Sequence, residues 1–404
     1  MKQRLMGATI SGLAPARSEP NTTSFGDAAE VAAYLVPDAP VHCFSPAKLI
    51  ARLDRFRAEF PGEVSYAVKS NDGDHVLATL AGAGLETYDV ASVEEMVAVR
   101  VHAPHAKLHY HNPVKGRNEI AAAAEGFGVV RFAADDAHEI DKIVALAGEA
   151  ERLEIAVRFR LPKHEASAHD FSSKFGADPA QAQQLLRQVV ARGCKPLLTF
   201  HPGSQCGDPA MWETHILAAA EIAHGAGVRL AGLNVGGGFP SRYLGLTAPD
   251  LGSYFATIGD AAAKAFGADF VPALECEPGR GLVAGSTSVL ARIKLVKPGS
   301  REIYLNDGVY GSLMEVSQVP VLQPFCRAIP SGRVLTGGSV LFTVYGPTCD
   351  PLDRLPNAIA LPADIAEGDF VEFGPLGAYG TATSTRFNGY GPAGVIEVEH
   401  ILGE

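Results

Sequence analysis

"VSYAVKSND" (Val64–Asp72) begins with β-branched, aromatic and small residues and turns polar at Lys69. A half-exposed strand would alternate polar and apolar side chains, so this run reads as a strand buried on both faces. Lys69 then stands at the carboxyl end of that strand, its amine facing either solvent or a ligand. The same texture returns in "LETYDV" (85–90), "KLHYH" (107–111), "GVVRFA" (128–133), "EIAVRFR" (154–160), "PLLTFH" (196–201), "RLAGLNV" (229–235) and "VPALEC" (271–276). Helix-like stretches such as "AQAQQLLRQVVARG" and "MWETHILAAAEIAHGAG" lie between them, each closed by a glycine. Alternating strand–helix units require parallel strands joined by right-handed crossovers. About eight such units predict a (β/α)8 TIM-type barrel over residues 44–280, with an open doubly wound sheet as the competing arrangement.

Past residue 281 the texture changes. Short β-rich pieces ("SVLARIKLVKP", "EIYLNDG", "SVLFTVYGP", "DFVEFGP", "GVIEVEH") are divided by Gly and Pro, and helical periodicity fades. These predict a second domain, an antiparallel β-sandwich or β-barrel built from residues 281–404, to which residues 1–43 add a strand. A chain of 404 residues also exceeds what a single core usually holds. The net charge of −11, with acids spread throughout, argues against nucleic acid and anionic membrane as partners. Six cysteines without CxxC pairs read as reduced thiols of a cytoplasmic protein. The first 24 residues read as a polar leader without a secretory apolar core, and the alanine-rich segments are too short to cross a bilayer.

In a barrel of this kind the chemistry gathers at the carboxyl ends of the strands. Those ends carry Lys69, Asp89, Asn112, Arg158, His201, then Gly236-Gly237-Gly238, then Glu277 with Arg280. Three glycines after the seventh strand let backbone N–H groups approach an anion, although a tight turn alone would also use them. "AGAGLETYD" (81–89) is no dinucleotide fingerprint, because its glycines precede a strand, and "PGSQCG" is no nucleophile elbow. His109 and His111 alternate along one strand, but no third ligand stands at a suggestive spacing, so no metal is expected. A lysine, a phosphate cradle and a carboxylate together suggest pyridoxal 5'-phosphate. The amine would form a Schiff base, and Glu277 would keep the ring nitrogen protonated as an electron sink. Arg280 would pair with the phosphate. A salt bridge at the barrel rim is the plain alternative for Lys69.

Seven ordered motifs, "YAVKSN", "FHPGSQC", "GGGFP", "ECEPGR", "YLNDGVYGSL", "GPTCDPLD" and "GAYG…FNGYG", resemble the ornithine/diaminopimelate/arginine decarboxylases, the fold-type III pyridoxal-phosphate enzymes, from about residue 40 onward. The resemblance implies a barrel followed by a β domain, working as a homodimer with shared active sites. It casts Lys69 as the Schiff-base lysine, His201 as the residue stacked on the ring and Glu277 as the partner of its nitrogen. It casts Ser204, Gly236, Gly237, Gly238, Arg280 and Tyr379 as the phosphate-binding set, with Asp89 and Arg158 as supporting polar residues. Cys349, the implied proton donor, and Asp350 would enter the neighbouring subunit's site.

The substrate is less defined. "GPTCD" resembles the ornithine and lysine decarboxylases, and Asp350 suits a distal ammonium. The stretch "SLMEVSQVPVLQP" lacks the aspartate many relatives place there, leaving Glu315 and Gln318 as the nearby candidates. The reading is decarboxylation of ornithine or lysine to a diamine. Diaminopimelate, arginine, citrulline or a D-amino acid are the alternatives within the reaction. An alanine-racemase-like enzyme, which meets the ring nitrogen with arginine, and a non-catalytic regulatory homologue are those outside it.

Overall fold

A computed structural model describes residues 25–162, 167–169, 174–247, 249–267 and 270–403. The polar leader expected at residues 1–24 lies outside them. Eight parallel strands form a closed ring in the order in which they occur in the chain. They are the split first strand (Glu63–Val64 and Tyr66–Ala67), then Thr87–Val90, Lys107–Tyr110, Arg131–Ala134, Glu154–Arg158, Lys195–Thr199, Gly232–Asn234 and Ala273–Cys276. The first half-strand pairs with the last strand and the second half with the next, Glu63 opposite Glu275 and Tyr66 opposite Tyr88, which closes the barrel. The open-sheet alternative is thereby excluded.

One detail differs from the sequence reading. The first strand does not run on to Ser70; it stops at Ala67, and Val68–Ser70 form a single 3-10 turn. The Ser70 hydroxyl donates to the carbonyl of Ala67 at 2.8 Å, and the N–H of Asn71 donates to that of Val68 at 3.0 Å. Short polar side chains of this kind offer the backbone a local alternative to the ladder.

Side chains alternate along a strand, so residues two apart face the same way. Outward-facing residues pack with the surrounding helices into the main core, which includes Leu53, Phe56, Tyr88, Trp212 and Phe239. The inward positions are narrow in the middle, where Ala133, Ala156 and Leu197 meet. Below them, Glu275 is held by His109 at 2.6 Å and by Arg131, which also reaches Glu154 at 2.8 Å. Above them lies the mouth. The helices that close the units have the expected ends. The one spanning Pro179–Ala191 carries an Asp178–Gln181 capping box, and the one spanning Ala210–Ala226 ends at Gly227 in a left-handed conformation.

The second unit is a β-sheet around its own core of Val289, Ile303, Phe342, Val371 and Phe373. It is mixed and not wholly antiparallel as expected. Glu302–Leu305 runs parallel to Ser339–Tyr345, and Val41–Phe44 runs parallel to Gly394–Glu397. Val41–Phe44 precedes the barrel in the chain yet also pairs antiparallel with Thr287–Lys297. Chain segments that meet after an excursion through a whole barrel are free of the antiparallel direction that a hairpin imposes. Among the described residues no helix is long and apolar enough to cross a membrane.

Candidate active site

The strand ends enclose a cavity of about 280 Å3 at the barrel mouth. Lys69, Asp89, Arg158, His201, Glu277 and Arg280 all line it, as do Ser204, Gly237, Gly238 and Tyr379. With His111 and Asn112, residues from seven of the eight strand ends and from the β domain meet in one place. The β domain is tied to the Lys69 turn at two points: the Tyr379 N–H donates to the Ser70 carbonyl at 2.7 Å, and Asn71 Nδ2 donates to the Gly377 carbonyl at 2.8 Å. Tyr379 itself has a positive φ of 60°, an uncommon conformation for tyrosine that aims its ring toward Arg280, 5.1 Å from the centroid.

Lys69 projects into the cavity, its side chain 46% accessible from that side, with Nζ 3.6 Å from Oδ2 of Asp89. Burial of its amine would lower the pKa, but Asp89, Tyr379 and Glu277 outweigh it and hold the amine above its usual range. Glu277 lies deeper. Its burial favours the neutral acid, and the His111 imidazole, bonded to Oε1, overrides that and keeps the carboxyl well below its usual range. Asp89 goes the other way, raised by burial and by the facing charge of Glu277. His201 is pushed down to about 3, by burial first and then by Arg158 and Lys69, so its ring is neutral. The Gly203 N–H donates to His201 Nδ1 at 3.0 Å, which places the ring proton on Nε2.

The glycine run is built for close approach. A Cβ on Gly236 would sit 2.1 Å from the Phe200 carbonyl, and one on Gly237 2.7 Å from that of Glu277. Gly238, at φ +94°, would bring a Cβ within 2.4 Å of the Gly203 carbonyl. Gly237 and Gly238 face the cavity, whereas Gly236 forms the turn, its N–H bonded to Asn234 Oδ1 at 2.8 Å. Beside them Arg280 donates to Ser204 Oγ at 3.2 Å and to Tyr243 at 2.7 Å.

Other expected residues lie elsewhere. Glu315, a candidate for a substrate's distal amine, is buried against Arg280 in a two-pronged ion pair, so its charge is committed within the chain. Gln318 sits exposed at the end of the short helix Met314–Gln318. Cys349 is exposed, and Asp350 accepts from the Tyr310 hydroxyl at 2.6 Å; neither lines this chain's cavity. Two residues have a role that the sequence reading did not give them: His111, weighed there only as a metal ligand, and Asn234, both bonded to Glu277 Oε1. The signal was present. "HYH" (109–111) and "ECE" (275–277) share one spacing, so two inward histidines meet two inward glutamates as stacked pairs, His109 with Glu275 and His111 with Glu277. His109 thus belongs to the lower layer, whereas His111 joins Asp89 and Glu277 in a triad whose ligating atoms lie within 4.8 Å of one another.

Residues 46–284 match the pyridoxal binding domain of the pyridoxal-dependent decarboxylases, and residues 282–377 match the C-terminal sheet domain of the same family. The chain belongs to the pyridoxal-dependent decarboxylases. It is 30% identical over 384 residues to an ornithine decarboxylase of Panagrellus redivivus, covering 87% of this chain and 84% of that protein. It is also 30% identical to the lysine/ornithine decarboxylase of Selenomonas ruminantium over 359 residues, covering 85% and 87% of the two chains. The crystal structure of a lysine/ornithine decarboxylase complexed with putrescine from Vibrio vulnificus superposes with a TM-score of 0.76 at 25% identity, over 89% of this chain and 94% of that one.

The residues present fit pyridoxal phosphate. Glycines lining one wall, a neutral imidazole, a lysine at the mouth and an ionised carboxylate at the floor are the donor set this decarboxylase cofactor needs.

Proposed function

We propose that this decarboxylase acts on a basic amino acid, ornithine or lysine, and releases the corresponding diamine. The observation that carries the reading is the single cavity that joins the Lys69 amine to an ionised Glu277 across the barrel mouth. Pyridoxal phosphate, when bound, supplies an aldehyde that condenses with an amine and a ring that accepts the electrons left when a carboxylate departs as carbon dioxide.

Lys69 would hold the cofactor through its amine. Glu277 would accept a hydrogen bond from the protonated ring nitrogen and keep it charged. His201, whose ring is neutral, would shield the ring from water. Ser204, Gly237, Gly238, Arg280 and Tyr379 would hold the phosphate. Glu315 already neutralises part of the Arg280 charge, so the backbone N–H groups carry more of the anion than in a free-arginine cradle.

Cys349 and Asp350 complete the site from a second copy, in a homodimer with shared sites. In that arrangement Cys349 delivers the proton to the α-carbon and Asp350 meets the distal ammonium. Relatives named for ornithine and for lysine/ornithine support the substrate class. Polyamine formation in the cytoplasm is the setting that suits such a product. The test is carbon dioxide release from the purified protein across L- and D-ornithine, lysine, arginine, citrulline and diaminopimelate. Fastest release from L-ornithine or L-lysine supports the reading, and preference for a neutral or dicarboxylic substrate refutes it.

A further inference from the structure

His111 has no task in the chemistry above, yet it is the group most tightly engaged with Glu277. Its Nδ1 is bonded to Glu277 Oε1 and lies 3.6 Å from Asp89 Oδ1. Asn234 Nδ2 donates to the same Oε1. Two donors thus converge on one carboxylate oxygen, and neither falls on Oε2, the oxygen that remains for a ligand in the cavity that Glu277 lines.

Two buried carboxylates meet at this point, and each needs positive charge close by. Asp89 and Glu277 are both buried and close, and two such carboxylates cannot both ionise unless something positive lies between them. Lys69 reaches Asp89 from above, and its amine is the one committed to the cofactor. Arg158 faces both carboxylates from the fifth strand. His109, whose ring centre lies 5.5 Å away, is engaged with Glu275 in the layer below. His111 is therefore the cation placed on Glu277 itself. Its other nitrogen, Nε2, is buried without a hydrogen-bond partner.

We propose that His111 is a positioning residue that holds Glu277 ionised against the field of Asp89 and leaves its second oxygen turned to the ring nitrogen of the bound cofactor. This inference rests on the cofactor reading given above. The titration directions agree with it. Burial works against the charge on Glu277, and His111 is the largest influence that restores it, whereas Asp89, buried and facing Glu277, is raised.

The experiment compares wild type, His111→Leu and His111→Asn as holoenzymes carrying pyridoxal phosphate isotopically labelled at the ring nitrogen, and reads that nitrogen's protonation by NMR. In wild type the nitrogen is protonated. His111→Leu shifts it toward the unprotonated signal and lowers kcat about 10- to 100-fold, with KM changed less than about threefold. His111→Asn retains a donor at the Nδ1 position but carries no charge. It recovers part of the protonated signal and loses it at lower pH than wild type does, which decides the matter even where the leucine variant fails to fold. Cofactor-loaded variants with wild-type protonation and turnover within about twofold overturn the proposal alone. Wild type that takes up no cofactor overturns the underlying reading, and this one with it.

Discussion

At the scale of single residues, the site is a set of buried charges whose partners decide their states. Arg280 shows the energetics most plainly. It and Glu315 are both buried, and their ion pair joins the cavity wall to the short helix Met314–Gln318. Removing one member of such a pair strands the other, at a cost of about 3–5 kcal/mol. Glu315→Leu is therefore expected to lower the unfolding free energy by about that amount in chemical denaturation, and to weaken cofactor retention by disordering Arg280. Wild-type stability in that variant would show the pair to be incidental. Most of the cavity lining was legible in the sequence, because strand ends can be counted and polar residues there stand out. What could not be read was commitment. Glu315 looked available to a substrate, and only its neighbour across the domain boundary shows that it is taken. The roles of His111 and Asn234 were harder to read for the converse reason: their meaning lies in Glu277 on another strand, and only the shared spacing of "HYH" and "ECE" pointed to it.

At the scale of elements, the eight barrel strands were recoverable because burial on both faces leaves a nearly continuous apolar run. Their ends were less so, and the Lys69 turn was read as strand because its hydrogen bonds are local and made by Ser70. The β domain's pairings were the least legible, since Val41–Phe44 finds its partners at Thr287–Lys297 and Gly394–Glu397, on the far side of the barrel. That same strand carries a titratable group. His42 is buried against Ser312, its Nε2 2.8 Å from Oγ, and its pKa falls to about 4 from the usual 6.5, through burial first and then the His75 ring. Folding thus expels a proton below pH 6.5, so this stability is complete above 6.5 and is lost as pH falls toward 4. His201, lowered to about 3, acts in the same direction; Asp89, raised, opposes it. Denaturation midpoints of the apoprotein are expected to drop across that interval. His42→Gln, which keeps a donor for Ser312, should flatten the drop in part; an unchanged slope would contradict the assignment.

At the scale of the whole molecule, the proposed function divides the site between two places in the chain. The cavity carries Lys69, whereas Cys349 is exposed on the β domain away from it. In the proposed two-fold dimer each copy would complete the other's cavity. Lys69→Ala and Cys349→Ala are each expected to lose activity, the latter about 10²–10⁴-fold, as for the loss of a placed proton donor. Mixed and allowed to exchange, the two inactive chains should regain about one quarter of wild-type turnover, because half the dimers are hybrids with one intact site of two. No recovery would place both residues in one chain's site. The most direct measurement of all concerns Lys69. The cofactor-loaded protein is treated with borohydride, digested and mapped by mass spectrometry. The expected result is the reduced pyridoxyl phosphate adduct on the peptide that carries Lys69. An adduct on any other lysine, or retained cofactor that borohydride does not fix, would contradict the account.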